Sequence, residues 1–196
     1  MLRSRIIPCL LVRDKGLVKT FNFKEHKYVG DPINAVKIFN EKMVDEIIVL
    51  DIDATVLGYE PDYKMIENLA VECRMPLCYG GGIKSVDQAV RISHLGVEKI
   101  AISSAAIENP GLIAEVAAAI GRQSVVVVLD IKKSILGSYD VYIYNGKKKV
   151  KKDLISLAKE LEELGAGEIV INSIDLDGKM TGYDLRLIEK VRNALD

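Results

Sequence analysis

Several residue types are scarce in this chain, and each scarcity narrows the class of protein it belongs to. It has no tryptophan, two histidines, five prolines and three cysteines among 196 residues. Cys9, Cys73 and Cys78 show no CxxC spacing, which argues against a disulfide framework and predicts reduced thiols in a cytoplasmic protein. His26 and His94 stand alone without a metal-ligand pattern, so we expect no metal and no other cofactor.

Net charge and long apolar runs are scarce as well. Lys and Arg number 27 against 28 Asp and Glu, a net charge of −1, so no strong field favours nucleic acid or an anionic membrane. The basic run over 147–152 predicts the solvated end of a hairpin rather than a phosphate or RNA patch. The longest apolar runs, such as 124–129, fall far below the roughly 18 residues of a membrane span, and the first residues show no signal peptide. We therefore expect a protein that binds neither nucleic acid nor membrane.

Short apolar runs that alternate with longer amphipathic segments dominate what is present. The runs carry Ile, Val or Leu on both faces, which is typical of a parallel sheet covered by helices. The segment over 139–150 departs from this pattern, because it alternates with period two and turns at Asn145-Gly146, which predicts a hairpin in the loop after the fifth strand. The predicted strands are 5–11, 46–51, 76–79, 97–102, 124–129 and 167–172, and the predicted helices are 32–42, 61–73, 84–94, 110–120, 151–164 and 182–194.

The chain also contains an internal repeat. The stretch EIIVLDIDAT from Glu46 matches EIVINSIDLDG from Glu168, and GYEPDYKMIE from Gly58 matches GYDLRLIE from Gly182, at offsets of 122 and 124 residues. A duplicated block of four βα units predicts an α/β fold, a (β/α)8 TIM barrel built from two half-barrels. Because six βα units can be counted, we expect a single barrel domain over 1–196 that lacks its last two units, with a degenerate barrel as the alternative.

Glycines and hydroxyls follow two neighbouring strands of the predicted barrel, at the carboxyl ends where the active sites of βα barrels lie. Gly80, Gly81 and Gly82 lead from the third strand into a helix, so backbone N–H groups and the helix N-terminus can approach an anion there. Ser103 and Ser104 follow the fourth strand and add two hydroxyls. Together they predict phosphate binding, with a tight turn followed by a helix cap as the alternative.

Aspartates follow three other predicted strands. Asp51 and Asp177 are candidates for binding a polar substrate, with ordinary loop and cap carboxylates as the alternative. Asp130 follows five consecutive apolar residues, and burial raises a carboxyl pKa toward values that are useful in proton transfer. Asp130 is therefore the candidate catalytic carboxylate, with a helix-capping or hydrogen-bonded structural role as its alternative.

Charged residues begin four of the predicted strands, at the opposite, amino-terminal mouth of a barrel. Two cations and two anions at that mouth are able to form a closed ring of salt bridges. An ordinary stabilising ion cluster at a barrel bottom is the alternative. These strand-start residues are Arg5, Glu46, Lys99 and Glu168.

The motifs together resemble the cyclase subunit of imidazole glycerol phosphate synthase. The matching stretches extend from residue 5 to 184 and include RIIPCL, YGGGIKSVDQA, QSVVVVLDIK and GAGEIVINSIDLDG. That family is a (β/α)8 barrel that partners a glutaminase subunit, and ammonia from glutamine hydrolysis passes through the barrel to a phosphorylated small-molecule substrate. The resemblance implies a phosphate at Gly81, Gly82, Ser103 and Ser104, with Lys19 near the substrate on a mobile first loop. It also implies that the strand-start residues gate the entry of ammonia.

The chain departs from the family pattern at two places. The family carries catalytic carboxylates at the ends of strands one and five, and Asp130 matches the second. Leu11 occupies the first position and can neither accept nor donate a proton, while Asp14 lies three residues further on, in the expected loop. Ser103 and Ser104 stand where the family has an Asn-Thr pair.

A paralogous branch of the family accommodates these departures. The chain is similar to barrel proteins associated with sugar amidation in surface polysaccharide synthesis, which work with a glutaminase subunit and a separate sugar amidotransferase. A retained gate with a lost carboxylate fits a subunit that carries ammonia. We therefore expect a synthase-type barrel subunit of a glutamine amidotransferase complex that passes ammonia on for amidation of a polysaccharide sugar. The alternatives are a genuine ring-closing cyclase of histidine biosynthesis, a non-catalytic adaptor that docks glutaminase and amidotransferase, and a phosphate-binding isomerase of the same duplicated lineage.

Overall fold

The structure is a computed structural model that describes residues 4–135 and 137–195. Its contacts divide the chain into two compact units. The first unit comprises the residues up to Lys19 together with Lys27–Ala101, and the second comprises Thr20–His26 and the residues from Ile102 onward. A single barrel domain over the whole chain stays a prediction.

Strands and helices alternate along the chain as predicted. The strands are β1 (Cys9–Arg13), β2 (Gly16–Phe21), β3 (Glu25–Gly30), β4 (Ile47–Asp51), β5 (Leu77–Gly80), β6 (Lys99–Ile102), β7 (Val125–Lys133), β8 (Tyr139–Ile143), β9 (Lys148–Lys149) and β10 (Glu168–Ser173). The helices are α1 (Pro32–Lys42), α2 (Ala54–Leu57), α3 (Tyr63–Glu72), α4 (Val86–His94), α5 (Ser104–Glu108), α6 (Gly111–Ile120), α7 (Leu154–Glu163) and α8 (Leu185–Arg192).

The first unit is built on a parallel sheet in the order β1, β4, β5, β6. The register places Val49 of β4 opposite Tyr79 of β5, and Tyr79 opposite Ile100 of β6. These three side chains are fully buried, as expected of strands that are covered by helices. The helices contribute the other half of this core through Val36, Ile66, Leu69, Ala89 and Ile92, all of which are also fully buried.

The second unit is built around β7, which pairs in parallel with β10 and antiparallel with β8. The first seven residues of β7 are all buried. This explains why its sequence shows a continuous apolar run instead of an alternating one. The helical side of the core comprises Ile113 and Val116 of α6 with Leu154, Leu157 and Leu161 of α7.

Helix starts follow from capping chemistry. Asp31 precedes α1, and its carboxylate accepts a hydrogen bond from the Asn34 amide at 3.0 Å, while Pro32 occupies the first helical position. An N-cap carboxylate satisfies one of the unpaired amides of the first turn, and proline there loses no helical hydrogen bond. Asp62, Asp153 and Asp184 cap α3, α7 and α8 in the same way.

Antiparallel strands interrupt the βα alternation at two places in the described chain, after β1 and after β7, and the second of these was predicted. In the β8–β9 hairpin, Asn145 and Gly146 both have positive φ, and the Lys147 amide donates to the Tyr144 carbonyl at 3.3 Å. The β2–β3 hairpin after β1 was missed. Antiparallel pairing with β2 extends β1 to Arg13, and β1 begins at Cys9, so the predicted strand 5–11 is wrong at both ends. The short helices α2 and α5 were missed as well.

The helices in the described part of the chain are too short or too polar to cross a bilayer.

Candidate functional site

A buried carboxylate lies between two cations at the amino-terminal ends of β4 and β6, in the first unit. Glu46 is only 3% exposed. Its Oε2 accepts a hydrogen bond from Arg5 Nη1 at 2.6 Å, and its Oε1 lies 2.6 Å from Lys99 Nζ. The Arg5 side chain is 44% exposed and that of Lys99 is 14% exposed. These three residues form one ion-paired group, called the Glu46 cluster below.

The fourth strand-start residue belongs to the second unit. Glu168 is the first residue of β10, where it lies opposite Val126 of β7 and is half-buried. The ion pairs of the first unit join the predicted gate residues Arg5, Glu46 and Lys99. A closed ring that includes Glu168 stays a prediction.

Leu11, which the resemblance places where the family has its first catalytic carboxylate, lies inside β1 and not at its end. It is opposite Val18 of β2 on one side and Leu50 of β4 on the other, and it is half-buried. Asp14, the nearest acidic residue along the chain, lies exposed in the turn between β1 and β2, as expected. An apolar side chain between two apolar strand neighbours offers no acid or base to a substrate.

The glycines after β5 make close backbone contacts within the first unit. Gly81 has a φ of +123°, and a Cβ there would lie 2.5 Å from the Asp51 carbonyl oxygen. Gly82 has a φ of +73°, and its amide donates to Thr55 Oγ1 at 3.1 Å. Both positions therefore need glycine. The Gly82 amide already has a partner, so a phosphate there would have to compete with the Thr55 hydroxyl.

Asp51 caps the turn that follows β4. Its Oδ1 accepts hydrogen bonds from the amides of Asp53 at 3.0 Å and Ala54 at 3.1 Å. Burial is the main influence on this carboxyl and raises its pKa, while the two amide hydrogen bonds act in the opposite direction. The geometry agrees with the alternative of a cap carboxylate, and substrate binding by Asp51 stays a prediction.

The serines after β6 differ in what they contact. Ser104 begins α5 and is 7% exposed, and its Oγ accepts a hydrogen bond from the Tyr144 amide at 3.1 Å. The Tyr144 hydroxyl in turn donates to Glu108 at 2.6 Å. Ser103 precedes α5 and is partly exposed. Ser104 thus anchors the β8–β9 hairpin, and phosphate binding by the two serines stays a prediction.

Asp130 is a buried candidate site residue whose pKa is shifted strongly upward. It is 8% exposed, and its Oδ1 accepts a hydrogen bond from Asn172 Nδ2 at 3.1 Å. Burial raises the pKa of Asp130 to about 7, the negative charge of Asp177 adds to the effect, and the Asn172 hydrogen bond opposes it. A carboxyl with that pKa exchanges its proton near neutral pH, which suits an acid–base role. Catalysis by Asp130 stays a prediction.

The remaining two candidates lie on or against the β2–β3 hairpin. Lys19 is exposed on β2 in the first unit. Asp177 follows β10 in the second unit, and its carboxylate accepts hydrogen bonds from the Thr20 hydroxyl at 3.0 Å and the Phe23 amide at 2.9 Å. Both carboxylate oxygens of Asp177 therefore already accept hydrogen bonds from other residues of the chain.

Two partner residues escaped the sequence reasoning. Asn172 is a candidate site residue only because β10 pairs with β7 in the register that places it opposite Asp130, and register between distant strands has no local signal. Thr20 lies in a hairpin that the sequence did not reveal. An available signal was the content of GLVKTF, in which Val18, Thr20 and Phe21 are β-branched or aromatic residues that favour strands.

Comparisons with known proteins identify the relatives of this chain. A family described as histidine biosynthesis protein matches residues 5–196. A Vibrio vulnificus protein with the provisional name imidazole glycerol phosphate synthase subunit hisF3 is 61% identical over 193 residues, which cover 98% of this chain and 74% of the relative. A Leptospira borgpetersenii protein, also provisionally named as subunit HisF of that synthase, is 59% identical and covers 98% and 76%. Imidazole glycerol phosphate synthase subunit HisF of Lactococcus lactis is 44% identical and covers 100% and 76%.

Proposed function

Because this chain belongs to the histidine biosynthesis protein family, a family of TIM barrels, we propose that it is the ammonia-receiving barrel subunit of a glutamine amidotransferase complex. Its partner in this proposal is a glutaminase subunit that releases ammonia from glutamine. The acceptor is a sugar of surface polysaccharide synthesis, which a separate amidotransferase aminates in the cytoplasm. In this proposal Lys19 and the glycines after β5 bind a phosphorylated substrate.

The observation that carries the proposal is the Glu46 cluster. Burying a carboxylate is costly unless cations neutralise it, and apolar residues of similar volume often replace such a group without loss of stability. A purely structural core therefore has little need of Glu46 between Arg5 and Lys99. Ammonia is small and polar, and it both donates and accepts hydrogen bonds. A cluster of charges offers it a polar entry where an apolar plug would exclude it.

Leu11 supports carriage of ammonia over ring closure. The cyclase pattern uses two carboxylates, and this chain keeps Asp130 and lacks the first. A positioned acid or base contributes about 10²–10⁴-fold to a rate, so losing one of two cooperating groups removes most of the ring-closing activity. Passage of ammonia requires no proton transfer at position 11.

An isotope experiment tests the proposal on the full-length protein reconstituted with its glutaminase and sugar amidotransferase. Glutamine labelled with ¹⁵N in its side-chain amide is supplied together with an excess of unlabelled ammonium. Channelled ammonia yields mainly ¹⁵N-labelled product, whereas ammonia released into bulk solution yields mainly unlabelled product. We expect labelled product from the native complex.

Two lysine variants sharpen the result. Lys99→Met breaks the 2.6 Å contact to the buried Glu46, and Lys64→Met breaks a comparable contact of 2.9 Å to Glu67 on the exposed surface of α3. We expect Lys99→Met to lower the labelled fraction and leave the ammonium-dependent rate unchanged, and Lys64→Met to change neither. Equal labelling in all three proteins, or unlabelled product from the native complex, contradicts the proposal.

A ring-closing cyclase is the second candidate, and the retained, buried Asp130 favours it. Its test is cyclase turnover of the full-length protein with added ammonium salt. Turnover comparable to that of a two-carboxylate cyclase would establish this candidate and show that Asp130 suffices. Negligible turnover that is insensitive to Asp130→Asn would exclude it.

A further inference from the structure

Asp177 binds the tip of the β2–β3 hairpin through both carboxylate oxygens and its backbone carbonyl. Its Oδ1 accepts a hydrogen bond from the Thr20 hydroxyl at 3.0 Å, and its Oδ2 accepts one from the Phe23 amide at 2.9 Å. Its backbone carbonyl accepts a third from the Asn22 amide at 3.1 Å. Residues Thr20–His26 and Asp177 all belong to the second unit. One residue thus accepts hydrogen bonds from three groups of the same hairpin tip.

The bound turn has a backbone conformation that needs such a partner. Asn22 and Phe23 have φ values of +51° and +60°. Asparagine tolerates this left-handed region, but a bulky residue such as phenylalanine adopts it rarely. The Phe23 amide points at a carboxylate, and hydrogen bonds to a charged acceptor are stronger than those between neutral groups. The carboxylate of Asp177 therefore selects a turn that the Phe23 side chain disfavours.

The neighbouring glycine shows that the hairpin tip packs directly on this backbone. A Cβ at Gly178 would lie 2.3 Å from the Thr20 carbonyl oxygen and 3.1 Å from Phe21 Cα. Those neighbours are backbone atoms, which cannot move aside as a flexible side chain could. Asp177 and Gly178 together form a seat for residues 20–23.

We propose that Asp177 is a positioning residue that latches the β2–β3 hairpin, and does not itself bind the substrate. Its two carboxylate oxygens are engaged by Thr20 and Phe23. Thr20 follows Lys19 directly, so the latch fixes the backbone one residue beyond the lysine. The consequence for Lys19 rests on the proposed function, in which that lysine contacts the phosphorylated substrate.

Amide hydrogen exchange on the full chain without ligand tests the latch independently of any activity. A hydrogen bond to a charged group is worth enough to slow local opening by about tenfold or more. We therefore expect Asp177→Ala to speed exchange at Asn22 and Phe23 by at least about tenfold. Thr20→Val should speed it less, and Thr20→Ser, which keeps the hydroxyl, should restore the native rate. Native exchange rates in Asp177→Ala would overturn the latch.

A pair of glycine variants distinguishes a local effect on residues 20–23 from a general loss of stability. Gly178→Ala places a methyl group against the Thr20 carbonyl. Gly182→Ala introduces the same methyl at a φ of +91° with no atom within 4 Å. We expect faster exchange over residues 20–23 in the first variant and native exchange there in the second. The same response in both variants would overturn the seat.

A second reporter uses the absence of tryptophan from the sequence. Phe21→Trp places a lone indole on β2, at a residue that is 44% exposed. Adding Asp177→Ala to this variant should increase the quenching of its fluorescence by acrylamide, since release of the hairpin exposes the indole. Unchanged quenching would argue against release.

A double-mutant cycle with inorganic phosphate as the probe tests the link to Lys19. If Asp177 acts through Lys19, Asp177→Ala weakens phosphate binding several-fold in the native background and has no further effect in a Lys19→Met background. Equal effects in both backgrounds overturn the positioning role. Faster exchange without any phosphate binding leaves the latch supported and contradicts the proposed substrate site.

Discussion

The raised pKa of Asp130 predicts how the free energy of unfolding changes with pH. Burial raises that pKa from an ordinary 3.8 to about 7 in the folded protein. Between these values the folded state binds more protons than the unfolded state, so the free energy of unfolding falls as pH rises. A tenfold change in proton affinity is worth about 1.4 kcal/mol, so the total loss above pH 7 approaches roughly 4 kcal/mol. Asp130→Asn removes the titration and keeps an oxygen that accepts from Asn172.

Urea unfolding at several pH values between 5 and 8 checks this prediction. The advantage of Asp130→Asn over the native protein should grow with pH, by at most about 1.4 kcal/mol per pH unit, and level off above pH 7. Asp14→Asn removes an exposed turn carboxylate and serves as the control for the loss of one negative charge. A carboxyl carbon signal of Asp130 that titrates in ¹³C NMR below pH 5 would refute the burial argument.

Four further substitutions follow from the packing, one of them a control, and urea unfolding checks each of them. The Tyr79 hydroxyl is buried and has no hydrogen-bond partner among the described residues. Tyr79→Phe should therefore leave the free energy of unfolding unchanged or raise it by about 1 kcal/mol. A decrease of more than about 1 kcal/mol would show that the hydroxyl has a partner. Gly81→Ala should cost about 2–4 kcal/mol, because its Cβ meets a carbonyl at 2.5 Å and its φ is strained. Gly96→Ala, at a φ of +97° but with its nearest contact at 3.6 Å, should cost only about 1–2 kcal/mol, and equal losses would refute the clash. Ser104→Ala removes the acceptor of the Tyr144 amide and should cost about 1–2 kcal/mol; a neutral effect would mean that water replaces the hydroxyl.

The secondary structure was predictable where it depends on local composition. The interior strands β5 to β7 carry apolar residues on both faces because helices cover them, and α1 occupies the predicted residues because Asp31 and Pro32 mark its start. The β8–β9 hairpin was predictable because Asn145-Gly146 is a strong turn signal. The β2–β3 hairpin was not, because its turn places Asn22 and Phe23, and no glycine, at positive φ.

Features of the site were predictable only where they depend on residues that are adjacent in the sequence. The apolar run before Asp130 predicts that this carboxyl is buried, and the structure agrees. Its partner Asn172 lies 42 residues further along the chain and follows from strand register, which local sequence does not encode. The seat of the hairpin on Asp177 depends on tertiary packing in the same way.

Three aspartates that look alike in the sequence end in different states, and their neighbours explain why. Asp51 is followed by a helical turn whose amides it caps, so its lone pairs are committed locally. Asp177 accepts hydrogen bonds from a hydroxyl and two amides of the β2–β3 hairpin, so its oxygen atoms are occupied by groups of the chain. Asp130 meets a single amide donor on the adjacent strand, within an apolar strand that keeps water away. A carboxyl with little hydrogen bonding and strong desolvation holds its proton near neutral pH. Of these three, Asp130 is therefore the carboxyl suited to proton transfer, while Asp51 and Asp177 each hold a turn of the backbone.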